Sequence, residues 1–143
     1  MRYKYTLKYA IRSTVEWQLR NYRTDKRQLA KYKDELIPSG VQGYSLTAGV
    51  DGGEAKRSTE EVALRIAETP YIKRLETTVS AITRVIQELD AKELHLIELV
   101  YWRQEYNVEG AAMIVGFSRS AAYRHVNRIL TEMAYQLGYI KEI

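Results

Sequence analysis

Cysteine is absent from the 143-residue sequence, and histidine occurs only twice. Without cysteine the chain has no disulfide bond and no thiolate metal site, and two histidines give no metal-ligand spacing. No apolar run approaches the roughly 18 residues that a membrane span requires, and the basic, tyrosine-rich N-terminus has no apolar signal core. We therefore expect a protein of a reducing cytoplasm, with no metal, no cofactor and no membrane partner.

The sequence also has no group of residues that is typical of an enzyme. Asp51, Gly52 and Gly53 form a turn motif, but the Lys-Ser/Thr pair that would follow in a phosphate-binding loop is missing. No nucleophile stands at a recognisable spacing from a base, and no pair of carboxylates indicates acid–base catalysis. The prediction is a protein that is not an enzyme.

The charge that the chain does carry is basic and concentrated at one end. The formal net charge is +4 and the isoelectric point is about 9.2. Residues 1–37 contain ten Lys or Arg and four Asp or Glu, a surplus of six. Residues 58–104 contain six against eight, and residues 105–143 contain four against four. A basic N-terminal segment suits contacts with phosphates, and a solvated, soluble face explains it equally well.

Helical periodicity runs through most of the chain, and no strand pattern appears. The first helix is marked by apolar residues four apart, which are Leu7, Ile11, Val15 and Leu19. Pro38 ends this helical segment, and residues 38–57 hold five of the eight glycines. We predict an all-α fold with a basic helical arm at 1–37, a Gly-rich linker at 38–57 and a small helical bundle at 58–143.

Three helix starts can be identified in the second part of the chain. Ser58 with Glu61 forms a capping box, in which each side chain satisfies a free backbone N–H at the other position. Pro70 suits the first position of a second helix. Asp90 with Glu93 forms another capping box for a third.

The helix that follows Pro70 has a heptad-like seam, with spacings of three and four. Its members are Ile72, Leu75, Val79, Ile82, Ile86 and Leu89. Fewer than three heptads is short for an autonomous coiled coil, which favours one face of a bundle and leaves a homo-oligomer open. The next helix, Ala91 to about Gln104, is apolar on most sides, so we expect it to be buried together with His95.

The next segment has the local signals of two helices joined by a tight turn. Asn107 caps a short helix, on which the small residues Ala111 and Ala112 let a second helix approach closely. Gly116 stands where a helix needs a left-handed residue to stop, and Ser118 caps the next helix. This order predicts a helix-turn-helix over about residues 107–137.

The second of these helices has an apolar stripe and an opposite polar face. At about 100° per residue, the stripe consists of Ala122, Val126, Ile129, Leu130, Met133 and Leu137. The polar face consists of Ser120, Arg124, Asn127, Arg128 and Thr131, with Tyr123 beside it and Arg119 at the helix start. Arg and Asn can each make two hydrogen bonds to a base edge, so this face suits DNA. A solvated surface helix, in a purely structural pair, is the alternative, and His125 is expected to pack or to contact phosphate.

The stretch "SRSAAYRHVNRILTEM" resembles the recognition helix of region 4 of bacterial sigma factors and of LuxR-type regulators. A longer resemblance covers nearly the whole chain. The basic helical arm, "VDGGEAKRSTEEVALRI", a long amphipathic helix, "ELHLIELVYW" and the final two helices follow each other as in the RinA/ArpU group of phage late transcriptional activators. Ala121 and Ala122 depart from the Thr-Val or Ser-Val that region 4 commonly has there, which implies a smaller contact between the two helices.

The resemblance implies a phage-encoded activator of packaging and structural genes, which binds double-stranded DNA in the bacterial cytoplasm and contacts host RNA polymerase. The DNA-binding residues that it implies are Ser118, Arg119, Ser120, Tyr123, Arg124, Asn127 and Arg128. From their shared exposed face, we expect base contacts from Ser120, Arg124 and Asn127. Phosphate contacts are expected from Ser118, Arg119 and Arg128.

Two other functions fit the same pattern. The small subunit of a phage terminase, a DNA-packaging protein that forms rings, also combines a helix-turn-helix with an oligomerising helical segment. A sigma-like module would instead bind DNA only when it is in complex with polymerase. The target sequence, the sign of regulation and the oligomeric state are left open by the sequence.

Overall fold

The structure is a computed structural model, and it describes residues 7–36, 60–61, 63–65 and 69–143. Every regular element in these ranges is helical, so the predicted all-α fold is confirmed. The helices whose bounds lie within the described residues are α1 (Tyr9–Leu36), α2 (Pro70–Gln87), α3 (Ala91–Ile97), α4 (Val108–Val115) and α5 (Arg119–Gln136), with a π-helical turn at Glu98–Trp102. The predicted linker at 38–57 and the capping box that begins at Ser58 lie outside the described residues. Within the described ranges, no helix has the length and apolar character to cross a bilayer.

The chain folds as two compact units. One consists of Met1–Arg23 with Thr78–Ile143, and the other of Thr24–Thr77. This division differs from the one predicted from charge and glycine content, which separates 1–37 from 58–143. The difference arises because the first part of α1 is apolar on one side and is buried with the C-terminal helices.

The first unit has an apolar core to which α1 contributes. Val15 and Leu19 of α1 are fully buried, as their spacing of four residues predicts. The Trp102 indole N–H donates to the Leu19 carbonyl at 3.0 Å, and the Tyr22 and Thr83 hydroxyls are 2.7 Å apart. Residues 7–23 are therefore part of the unit and do not form a separate arm.

The second unit contains the C-terminal part of α1 and the first two turns of α2. Leu29, Ile72 and Leu75 are buried. The rings of Tyr32 and Tyr71 meet edge to face, with their centroids 5.9 Å apart. The α2 seam is thus buried within a single chain at these positions, as the bundle interpretation predicts.

Helix α3 is less buried than its sequence predicts. The capping box is confirmed, since Asp90 Oδ1 accepts from the Glu93 N–H at 2.8 Å and Glu93 Oε1 accepts from the Asp90 N–H at 3.2 Å. The expectation that the helix is buried on most sides is wrong, because only one side is covered and His95 is exposed. Buried residues on that side include Leu96 and Ile97.

The helix that was predicted from Ala91 to about Gln104 also ends differently from the prediction. From Glu98 it widens into a π-helical turn, closed by the Arg103 N–H, which donates to the Glu98 carbonyl at 2.8 Å. Tyr101, in this turn, is buried.

Candidate nucleic-acid interface

Helix α4 begins as its sequence predicts. The Asn107 side chain accepts a hydrogen bond from the Gly110 N–H at 2.8 Å, which caps the helix. Ala111 and Ala112 are buried, and α4 packs against α5. The two small side chains allow this close packing, because neither projects beyond its Cβ atom.

The turn between α4 and α5 is formed by Gly116, Phe117 and Ser118. Gly116 has φ of 93°, a left-handed conformation that L-residues with a Cβ atom rarely adopt. The N–H groups of Gly116 and Phe117 both donate to the Ala112 carbonyl, at 2.9 and 3.0 Å. Ser118 Oγ then accepts from the Ala121 N–H at 3.1 Å and caps α5. The predicted stop and the predicted cap are both confirmed.

The apolar stripe of α5 faces the core. Its first five members are fully buried, and Leu137 is half-buried. The prediction that Thr131 lies on the polar face is wrong, because this residue is buried. Its hydroxyl donates to the Asn127 carbonyl at 2.7 Å, one turn earlier, so burial leaves the hydroxyl hydrogen-bonded.

The first two turns of α5 present free polar groups to solvent. Ser120 and Arg124 are exposed, and neither makes a side-chain hydrogen bond or ion pair within the described part of the chain. Lys92 of α3 adds a cation beside the turn that precedes α5, with Nζ 3.5 Å from the Gly116 carbonyl and 5.1 Å from the centre of the Phe117 ring. Lys92 could not be found from sequence spacing, because it lies 24 residues before the turn.

An acidic residue of α4 holds two of the predicted DNA contacts. Glu109 Oε1 lies 2.9 Å from the Arg119 guanidinium and accepts from the Tyr123 hydroxyl at 3.0 Å. This hydrogen bond raises the pKa of Tyr123, so the phenol remains protonated and acts as a donor. Both side chains are surface groups that Glu109 orients.

A buried carboxylate of α3 holds two further residues of α5. Glu93 is buried, and one of its oxygens pairs with Arg128 and lies 2.9 Å from His125 Nδ1. Arg128 also pairs with Glu132 at 3.1 Å. His125 stacks on Phe117, with ring centroids 4.5 Å apart, so the prediction that it packs is confirmed.

Arg128 therefore connects α5 to α3 instead of extending freely into solvent. The Glu93 carboxylate is removed from water and needs a positive partner, because burying an unpaired charge is costly. Periodicity placed Arg128 on the polar face of α5, but it cannot indicate a buried acid that stands 35 residues earlier in the chain.

Asn127 makes a contact that the sequence did not predict. Its Oδ1 atom accepts a hydrogen bond of 2.7 Å from the Arg12 guanidinium of α1. Asn127 is exposed, and Arg12 is half-buried. The arrangement brings one cation of the basic N-terminal helix to the polar face of α5, at a separation of 115 residues in sequence.

These contacts divide the seven predicted site residues into three groups. Ser120 and Arg124 are free, and Ser118 caps the helix beside them. Arg119 and Tyr123 are exposed but oriented by Glu109, while Asn127 is oriented by Arg12. Arg128 alone is held by a buried acid. No group of three potential metal ligands occurs among the residues that the structure describes.

No protein-family model, curated protein or solved structure matches the chain at significant similarity.

Proposed function

We propose that this protein is a sequence-specific, double-stranded DNA-binding transcriptional regulator, in which α4, the Gly116 turn and α5 act as a helix-turn-helix. The observation that carries the proposal is the exposed N-terminal part of α5. It presents Ser120 and the free Arg124 on the side opposite the buried apolar stripe. In helix-turn-helix proteins, the N-terminal residues of the second helix contact base edges in the major groove.

The chemistry of this surface suits both bases and phosphates. Arg124 has the donors for a bidentate contact with guanine O6 and N7. The first backbone N–H groups of α5 point toward the helix start, where the helix dipole favours an anion. Lys92, Arg119 and Tyr123 are donors around that end of the helix, and a phosphate could accept from them.

The more specific role that we propose is activation of phage late genes. This role follows from the resemblance of the sequence to the RinA/ArpU group. It implies that the protein acts in the bacterial cytoplasm and that its protein partner is host RNA polymerase. The exposed Arg124 of α5 supports DNA binding but does not distinguish a regulator from a packaging protein. The position on the genome at which the protein binds distinguishes these two functions.

The proposal is tested by recovering bound DNA. Purified protein is mixed with sheared DNA from its source genome at about 150 mM salt, the ionic strength near which phosphate contacts are moderately screened, and the bound fragments are sequenced. We expect enrichment of one region upstream of packaging and structural genes, lost with Arg124→Ala. Enrichment inside terminase genes at a packaging start would point to the terminase small subunit. Uniform recovery would contradict sequence-specific binding by the free protein, and binding restored by added polymerase would point to a sigma-like module.

A further inference from the structure

The contact between Arg12 and Asn127 has a direction that its chemistry determines. The guanidinium group has five N–H donors and no acceptor. The amide atom that lies 2.7 Å from it must therefore be the oxygen, Oδ1, and cannot be the nitrogen. The Asn127 NH₂ group is consequently on the other side of the amide, where it remains available as a donor.

Arg12 is itself held by a chain of contacts that begins in the core. Its Nε atom lies 3.5 Å from Glu16 Oε1, one turn later on α1. The second oxygen of Glu16 accepts from the Tyr101 hydroxyl at 2.9 Å, and Tyr101 is buried. Burial, with the nearby Glu16 carboxylate, raises the pKa of Tyr101, so this phenol stays protonated and can only donate to Glu16. The position of Arg12 is thus determined by a buried residue of the same unit.

We infer that Arg12 is a specificity-determining residue. It orients Asn127 as a hydrogen-bond donor, so that Asn127 prefers the acceptor-bearing base edge of guanine to the base edge of adenine. The inference rests on the proposed function, because it concerns the base that faces Asn127 when α5 lies in the major groove. Asn127 is three residues after Arg124 and so lies on the same side of α5. The two residues would face neighbouring base pairs.

The physical reason is a competition for Oδ1. An asparagine recognises adenine by accepting from the N6 amino group through Oδ1 and donating to N7 through the amide nitrogen. Here one lone pair of Oδ1 already accepts from a charged donor. The second lone pair remains, but the positive charge beside it repels the partly positive N6 amino group. Guanine has two acceptors in the major groove, O6 and N7, and both the Asn127 NH₂ group and Arg12 attract acceptors.

The test is selection of bound sequences from a random double-stranded DNA library, followed by sequencing, for the wild type and three variants. Asn127→Ala identifies the base pair that depends on Asn127. Arg12→Met removes the donors of Arg12 but keeps an unbranched apolar stem for packing. Arg20→Ala is the matched control, because Arg20 is also an α1 arginine beside Glu16, at 3.9 Å, and has no hydrogen bond to Asn127.

We expect the wild type to prefer guanine at the Asn127-dependent position. Arg12→Met should shift the ratio of guanine to adenine there by about tenfold toward adenine, the discrimination that a bidentate pair provides at the lower end of its range. Arg20→Ala should leave the ratio unchanged. Circular dichroism and a thermal melt establish that each variant is folded before its sequence preference is interpreted.

Three results would overturn the inference. The first is a wild-type preference for adenine at the base pair whose preference is lost in Asn127→Ala. This result can be obtained without an Arg12 variant. The second is an unchanged ratio in folded Arg12→Met. The third is an equal loss of affinity for all sequences in Asn127→Ala, since this indicates a phosphate contact. With any of these results the selection still yields a preferred DNA sequence, so the proposed function stands and only the inference about Arg12 is rejected. If the selection yields no preferred sequence, both the proposed function and the inference are rejected.

Discussion

The two halves of α5 carry similar polar residues but differ in what these residues contact. In the first half Arg124 extends into solvent without a protein partner in the described ranges. In the second half Arg128, one turn later, is held by Glu93 and Glu132. The difference shows that neighbouring elements divide a single polar face into a part available for a ligand and a part that stabilises the fold. Four predictions test this division.

The largest effect is expected from Arg128→Ala. The substitution leaves the Glu93 carboxylate buried without its charged partner, so the free energy of unfolding should fall by about 3 kcal/mol. Urea denaturation measures this change. Arg124→Ala is the matched control on the same helix, and its stability should stay within about 0.5 kcal/mol of the wild type. Equal stabilities of the two variants would contradict the division of α5 into two parts.

The next effect concerns DNA binding, for which Arg124→Ala should have a larger effect than Arg128→Ala. Arg124→Ala should weaken binding to a selected site by about 1–3 kcal/mol, because it removes a candidate bidentate base contact. Titration of a fluorescent duplex measures the affinity. Arg128→Ala, compared at a temperature where it is folded, should weaken binding less. If Arg128→Ala has the larger effect on affinity, Arg128 contacts DNA in the complex and its pairing with Glu93 does not persist there.

The two serines at the start of α5 sharpen the comparison further. Ser118→Ala should lower the free energy of unfolding by about 1 kcal/mol, since it removes the side-chain cap of the helix. Ser120→Ala, two residues later, removes an exposed hydroxyl with no capping hydrogen bond in the described structure, so its thermal stability should be unchanged. Thermal denaturation of both variants measures these changes. A larger loss of stability in Ser120→Ala would mean that Ser120, and not Ser118, caps α5.

The smallest effect is expected from Glu109→Gln. Removing this charge releases Arg119 and reduces repulsion between α4 and phosphates, so affinity for DNA should rise about twofold, as for a surface ion pair worth a few tenths of a kcal/mol. Glu105→Gln is the control, because Glu105 pairs with Arg103 at 3.1 Å and not with a residue of α5. A fall in affinity with Glu109→Gln would mean that Glu109 holds Arg119 and Tyr123 in their binding positions.

Local chemistry could be predicted wherever the partners are close in sequence. The caps at Asn107, Asp90 and Ser118 and the left-handed Gly116 all follow from residues within four positions of each other. Thr131 and His95 were placed wrongly for a shared reason. Periodicity gives the angle of a residue around its own helix, whereas burial depends on which other helix covers that angle.

The candidate site shows the same limit. The expectation that Ser120 and Arg124 are exposed is confirmed, because within the described ranges no other element covers the side of α5 on which they lie. Arg12, Lys92 and Glu93 were not assigned to this surface, since they lie on α1 and α3, far from α5 in sequence. Arg12 and Glu93 bind Asn127 and Arg128 of α5, and Lys92 adds a cation at the turn before α5.

The amino-acid sequence alone predicts the all-α fold, the start of α2, the capping box at Asp90, the Gly116 turn and the buried stripe of α5. These features depend on backbone hydrogen bonds and side-chain spacing within one helix or one turn. Packing of the helices determines which arginine is free and which is paired, and it brings the basic N-terminal helix to Asn127. These outcomes depend on charges and hydrogen bonds between residues 35 and 115 positions apart, which meet only when the helices pack.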